Sequence, residues 1–88
     1  MATDDRFEWD TEKAVANFGK HGVAFQEAVF AFRDPFPVER FDDRRNYGEQ
    51  RINMLAMCRS TLLHVTYSER GSYIRIHEQD DYYSENKF

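Results

Sequence analysis

Phe7-Glu8-Trp9-Asp10-Thr11-Glu12-Lys13-Ala14-Val15-Ala16-Asn17-Phe18-Gly19-Lys20-His21-Gly22-Val23-Ala24-Phe25 holds the start and stop of a helix. Its first residues read as a short strand. Asp10 suits an N-cap, because its carboxylate can accept from an unpaired first-turn N–H. Glu12 places negative charge at the positive end of the helix dipole. Ala14, Val15 and Phe18 recur at helical spacing and predict an apolar stripe. Lys20 and His21 fall in the last turn, and Gly22 stands where a left-handed residue would end the helix. Two cationic or proton-carrying side chains are thus held on a rigid element beside a chain reversal. That placement suits a site, and it suits plain capping equally well.

Around this stretch the chain is short. Eighty-eight residues predict one domain, 1–88, which buries only about 60–65% of its unfolded surface. Aromatic residues, 16% of the chain, compensate with large buried rings. No apolar run approaches the ~20 residues of a membrane span, and the opening MATDDRFE has no leader pattern. The lone Cys58 has no partner for an internal disulfide, which fits a reducing cytoplasm. Net charge is −4, which at first argues against nucleic acid. Its distribution is uneven, however: residues 1–12 sum to −4, residues 77–88 to −3, and residues 13–76 to +3. The basic middle permits RNA binding.

Past the first helix, Phe25, Ala28, Val29 and Phe32 stand at the spacing of a buried helical stripe. Asp34-Pro35 should end that helix, since proline disfavours helical geometry in the residue before it. From Phe36 the pattern turns to strands, with Pro37 suggesting an edge. A polar turn is expected over 42–48, then apolar strands over 52–58 and 62–67. Ser68 to Ser72 reads as a turn, and Tyr73 to Ile76 alternates, with Ile74 and Ile76 inward. Short loops favour an antiparallel meander covered by two helices on one face, an α+β fold.

Several residues could carry chemistry. Cleaving RNA requires a base for the 2′-hydroxyl, charge stabilisation at phosphorus and an acid for the leaving oxygen. An unperturbed imidazole changes charge near neutrality, so His21 suits either proton role, or caps the last-turn carbonyls; Lys20 beside it suits phosphate, or plain solvation. Arg51, Arg70 and Arg75 lie on or beside three adjacent strands, where guanidinium groups could bind phosphate in pairs of hydrogen bonds. Glu49 could orient Arg51 or His21, or pair on the surface. Tyr67 could stack on a base or sit half-buried in its strand. His21, His64 and His77 do not have metal-ligand spacing.

The array F-E-W-D, K, N and K-H-G-V-x-F, at Phe7 to Asp10, Lys13, Asn17 and Lys20 to Phe25, resembles the BrnT family of toxin–antitoxin ribonucleases. Asp34-Pro35, Tyr47-Gly48-Glu49-x-Arg51, Tyr67-Ser68-Glu69-Arg70-Gly71 and Ile74-Arg75-Ile76 continue the likeness. The resemblance implies a RelE-like α+β fold with a short C-terminal helix. It implies a metal-independent ribonuclease toxin, without a cofactor, that inhibits translation and growth. His21, Lys20, Arg51, Arg75 and Glu49 would be its catalytic residues, and Arg70 and Tyr67 would bind RNA. The implied partner is a BrnA-type antitoxin, through which the complex reaches operator DNA.

One departure stands out. After I-R-I the family reads I-S-A-R-K-A-T before its terminal helix, whereas here Ile76 runs straight into His77-Glu78-Gln79-Asp80-Asp81-Tyr82-Tyr83. That helix is then expected to begin at once, to fail to fold back on its sheet, and to favour a homodimer. The departure also opens an alternative function: an inactive toxin fold that binds antitoxin as a corepressor module.

Overall fold

The computed structural model describes residues 2–4, 6–42 and 48–81. Strands β1 (Ala2–Asp4) and β2 (Phe7–Trp9) precede helix α1 (Thr11–His21). A single 3-10 turn, Phe25–Glu27, leads into the short helix α2 (Ala28–Ala31). Strands β3 (Val38–Asp42), β4 (Arg51–Cys58), β5 (Thr61–Arg70) and β6 (Tyr73–Asp81) complete the fold. The sheet order is β1-β2-β6-β5-β4-β3. The last four strands form the expected antiparallel meander, while β2 joins β6 in parallel. The architecture is α+β, with a mixed sheet.

Alternation assigns the two faces. Phe7, Trp9, Met54, Ala56, Leu63, Val65 and Ile76 are buried on the face covered by Phe25, Ala28 and Ala31. The stripe predicted for the second helix is therefore core, although Ala24 supplies no side-chain cap. Trp9 meets Phe25 edge-on, and Phe32 lies between Phe7 and Tyr67.

The stripe predicted for α1 is corrected. Val15 is 70% and Phe18 57% exposed, and no residue of α1 is fully buried. The helix lies along the margin of the sheet, beyond the end of β2, and not across a face. Only Ala14 packs on the core; polar bonds from Asn17 do the rest.

A second correction concerns residues 77–81. They do not start a helix but continue β6, pairing with β5 from Leu63↔Asp81 to Thr66↔Glu78. Strand pairing overrides the weak β-propensity of Glu-Gln-Asp-Asp. A bulge leaves His77 without an opposite residue on β5, between Ile76 and Glu78. The rest of the expected terminal helix, including Tyr82 and Tyr83, and most of the 42–48 turn lie outside the described residues.

Candidate functional site

Helix α1 is fixed at both ends by side chains and turns that local sequence makes legible. Asp10 Oδ1 accepts from the amides of Glu12 at 2.9 Å and Lys13 at 3.1 Å. Those bonds, led by the Lys13 amide, hold the Asp10 carboxyl below its ordinary range. At the other end Gly22 takes φ 72°, and its N–H donates to Phe18 O at 2.8 Å. Laterally, Asn17 Nδ2 donates to Gln79 O at 2.7 Å and to Val23 O at 3.2 Å. Its Oδ1 accepts from Gln79 N at 3.2 Å. Gln79 Nε2 in turn donates to Ala24 O at 2.8 Å, holding the loop after the helix.

This docking leaves a pocket of about 270 Å³ between α1 and the sheet face opposite α2. Lys13, Lys20 and His21 reach it from the helix, Arg51 from the start of β4, and His77 and Glu78 from β6. Three cationic groups and two imidazoles thus converge from segments far apart in sequence. Lys20, His21 and Arg51, expected to act together, share this one cavity.

Behind the pocket lies a polar network. His77 Nε2 stands 2.8 Å from Ser68 Oγ and 3.4 Å from Glu49 Oε1. Burial, then the charge of Arg51, pushes the His77 imidazole down to about 4, so it is neutral at pH 7. Glu49 accepts two bonds from Arg70, at 3.0 Å from Nε and 2.9 Å from Nη2. Arg70 holds that carboxyl below its usual range and is itself raised. Glu49 thus pairs with Arg70 and faces His77.

The remaining expected residues are placed differently. Arg75, two residues before His77 on β6, has its Nη1 3.7 Å from Glu8 Oε1 and does not line the pocket. Tyr67 is on the other face, 7% exposed. Its ring meets Phe32 at 4.8 Å edge-on, and its O–H donates to Glu39. Burial and that bond push the phenol up. A stacking role for Tyr67 at this pocket is thus excluded by strand parity: Tyr67 pairs with Ile52 and Ile76, whose neighbours Arg51 and His77 point the opposite way.

Sequence alone does not single out Lys13 and His77. Lys13 stands in the K of the N-terminal array, one helical turn before Asn17. His77 follows from carrying the alternation one residue past Ile76, which places it with Arg75 and not with Ile74.

Residues 9–76 match the family described as the ribonuclease toxin, BrnT, of type II toxin–antitoxin systems. The chain belongs to the BrnT family. No curated protein matches it significantly. The BrnT match starts at Trp9 in β2 and stops at Ile76, immediately before the bulge. It therefore spans the pocket residues from α1 and β4 and omits those from the end of β6. BrnT proteins are toxins with an antitoxin partner, so membership implies such a partner for this chain. Among the described residues no helix is long and apolar enough to cross a membrane.

Proposed function

We propose that this chain cleaves RNA by general acid–base chemistry without a metal ion. The carrying observation is the convergence of Lys20, His21 and Arg51 in one cavity. The attacking 2′-oxygen bonds to phosphorus as the P–O5′ bond breaks, leaving a 2′,3′-cyclic phosphate and a 5′-hydroxyl. His21 takes the 2′ proton or supplies one to the 5′-oxygen, the two proton roles open to an imidazole. Lys13, Lys20 and Arg51 surround the phosphorane with positive charge. His77, held neutral, keeps Ser68 and Glu49 in place behind Arg51. Glu49 and Arg70 support this network, and Arg75 adds positive charge two residues before His77 on the same strand. The setting is the cytoplasm, the partner a BrnA-type antitoxin, and operator DNA is reached only through it.

A second reading is favoured by one observation. Glu78 lines the same pocket, just past the end of the family match, where the family's basic segment is absent. A carboxylate there opposes an RNA phosphate. In this reading the chain is an inactive toxin fold that binds antitoxin. Purified protein and a labelled RNA separate the two. Cleavage that survives EDTA and is lost in His21→Ala supports the enzyme. Intact RNA together with tight antitoxin binding supports the module.

A further inference from the structure

A second cationic group lies at the other end of β4. The guanidinium carbons of Arg33 and Arg59 stand 5.4 Å and 5.0 Å from the centroid of the Phe30 ring. Phe30 belongs to α2, Arg33 follows it, and Arg59 sits in the β4–β5 hairpin. Asp34 brings the two segments together: its Oδ2 accepts from Met57 N at 2.8 Å and its Oδ1 from Phe36 N at 2.9 Å. With both oxygens engaged by amides, Asp34 does not pair with either arginine. Glu27, whose charge helps raise the buried Cys58 thiol, forms no ion pair with them either. Among the described residues neither guanidinium has a carboxylate partner.

Two like charges held at one ring repel each other, and the ring quadrupole offsets that only in part. The backbone adds a further cost. Cys58 pairs with Thr61, so Arg59 and Ser60 make a two-residue hairpin loop. Arg59 is the one non-glycine described at positive φ, 58°. Glycine would fill that position without strain. A strained arginine held against the same half-exposed ring as a second arginine suits an anion.

We propose that Arg33 and Arg59, gathered on Phe30, bind a backbone phosphate of single-stranded RNA at a point remote from the pocket. The proposal rests on the RNA-cleaving reading above. Strand β4 runs from Arg51 in the pocket to Cys58 beside Arg59, roughly 23 Å at strand spacing. Phosphates spaced at about 3.4 Å need about seven nucleotides for that length alone, and because the pocket lies on the sheet face opposite α2, a strand touching both points must be longer still to round the sheet. Guanidinium groups fit phosphate oxygens with paired hydrogen bonds.

The test uses 2′-O-methyl RNA, which lacks the attacking hydroxyl, as a 12-mer and as a trinucleotide too short to span the two points. Arg59→Gly relieves the turn, so it should fold at least as well as the parent; Arg33→Gln with Arg59→Gly removes both cations. The double variant should bind the 12-mer about three- to tenfold more weakly at moderate salt. Its log–log salt slope should fall by about 0.7 for each phosphate left without its cation. Trinucleotide affinity should not change. An unchanged slope for the 12-mer overturns the proposal, as does an equal loss for both lengths. Weakened antitoxin binding with RNA binding intact overturns it in favour of an acidic protein segment. Millimolar inorganic phosphate should raise Tm equally in parent and variant; a rise confined to the parent assigns the site to a small anion instead. If the parent binds neither RNA, the cleavage reading itself fails, a result distinct from variants that match a binding-competent parent.

Discussion

Asn17 joins its side-chain amide to the main chain of Gln79 in both directions, donating at 2.7 Å and accepting at 3.2 Å. It pairs with β6 much as a residue of an adjacent strand would, past the point where β2 ends at Trp9. Since no residue of α1 is fully buried, this amide is the main tie between the helix and the sheet. Asn17→Ala removes these two bonds and the one to Val23 O, leaving two main-chain groups of Gln79 and the Val23 carbonyl without this partner. The expected loss is about 1–3 kcal/mol, read by urea denaturation, with a fall in any RNA affinity that depends on Lys20 and His21.

His77 makes stability depend on pH. Its folded value, about 4, lies below the ordinary 6.5, so between those limits the unfolded chain binds the extra proton. The full contribution is present above pH 6.5 and is lost progressively as pH falls toward 4. Its size is on the order of 3 kcal/mol at most. The depressed carboxylates of Asp10, Asp34 and Glu49 add losses only lower, below about pH 4.5. Unfolding curves of His77→Gln should be flatter than the parent's between pH 4 and 6.5. Parallel curves would remove His77 from this role.

Arg51 and Arg70 should separate by function. Arg51 lines the pocket, whereas Arg70 is spent on Glu49. Arg51→Ala should lower single-turnover cleavage by about 10²–10³-fold, the usual cost of one transition-state donor. Arg70→Ala should cost less, and should let the Glu49 carboxyl return toward its ordinary range. Equal losses in the two variants would assign both arginines to the same supporting network.

Gly22 ends α1 at φ 72°, with open space where a Cβ would project. The cost of Gly22→Ala is therefore backbone strain without a clash, about 1–2 kcal/mol. Thermal melts should show it as a fall of roughly 4–8 °C per kcal/mol in a chain of this size.

How much of this is legible in sequence depends on range. The caps of α1 are written within a few residues of the helix, so Asp10 and Gly22 announce themselves. The β4 and β5 strands and the inward Ile76 follow from local alternation. Helical spacing cannot say whether Val15 and Phe18 have anything to pack on, and they do not: the sheet margin offers α1 a backbone and not an apolar face. Sequence alone leaves Tyr67 between stacking and burial, and its strand sets it with Leu63 and Val65 on the core face. The family resemblance sets a helix at residues 77–81, yet β5 gives them a strand to join. Lys20, His21 and Arg51 can be named one by one, but their meeting depends on the Asn17–Gln79 tie.

That tie spans 62 positions of sequence. A nascent chain emerges from the ribosome N-terminus first, so the helix bearing Lys20 and His21 is made long before its anchor. β1 and β2 can pair with each other early, but neither that pair nor α1 has the rest of the sheet to dock on until β6 has been added. Local pairings of the meander form ahead of such a distant closure. The pocket is thus among the last parts of the molecule to assemble, and a polypeptide halted before Gln79 carries its two leading residues on an untethered helix.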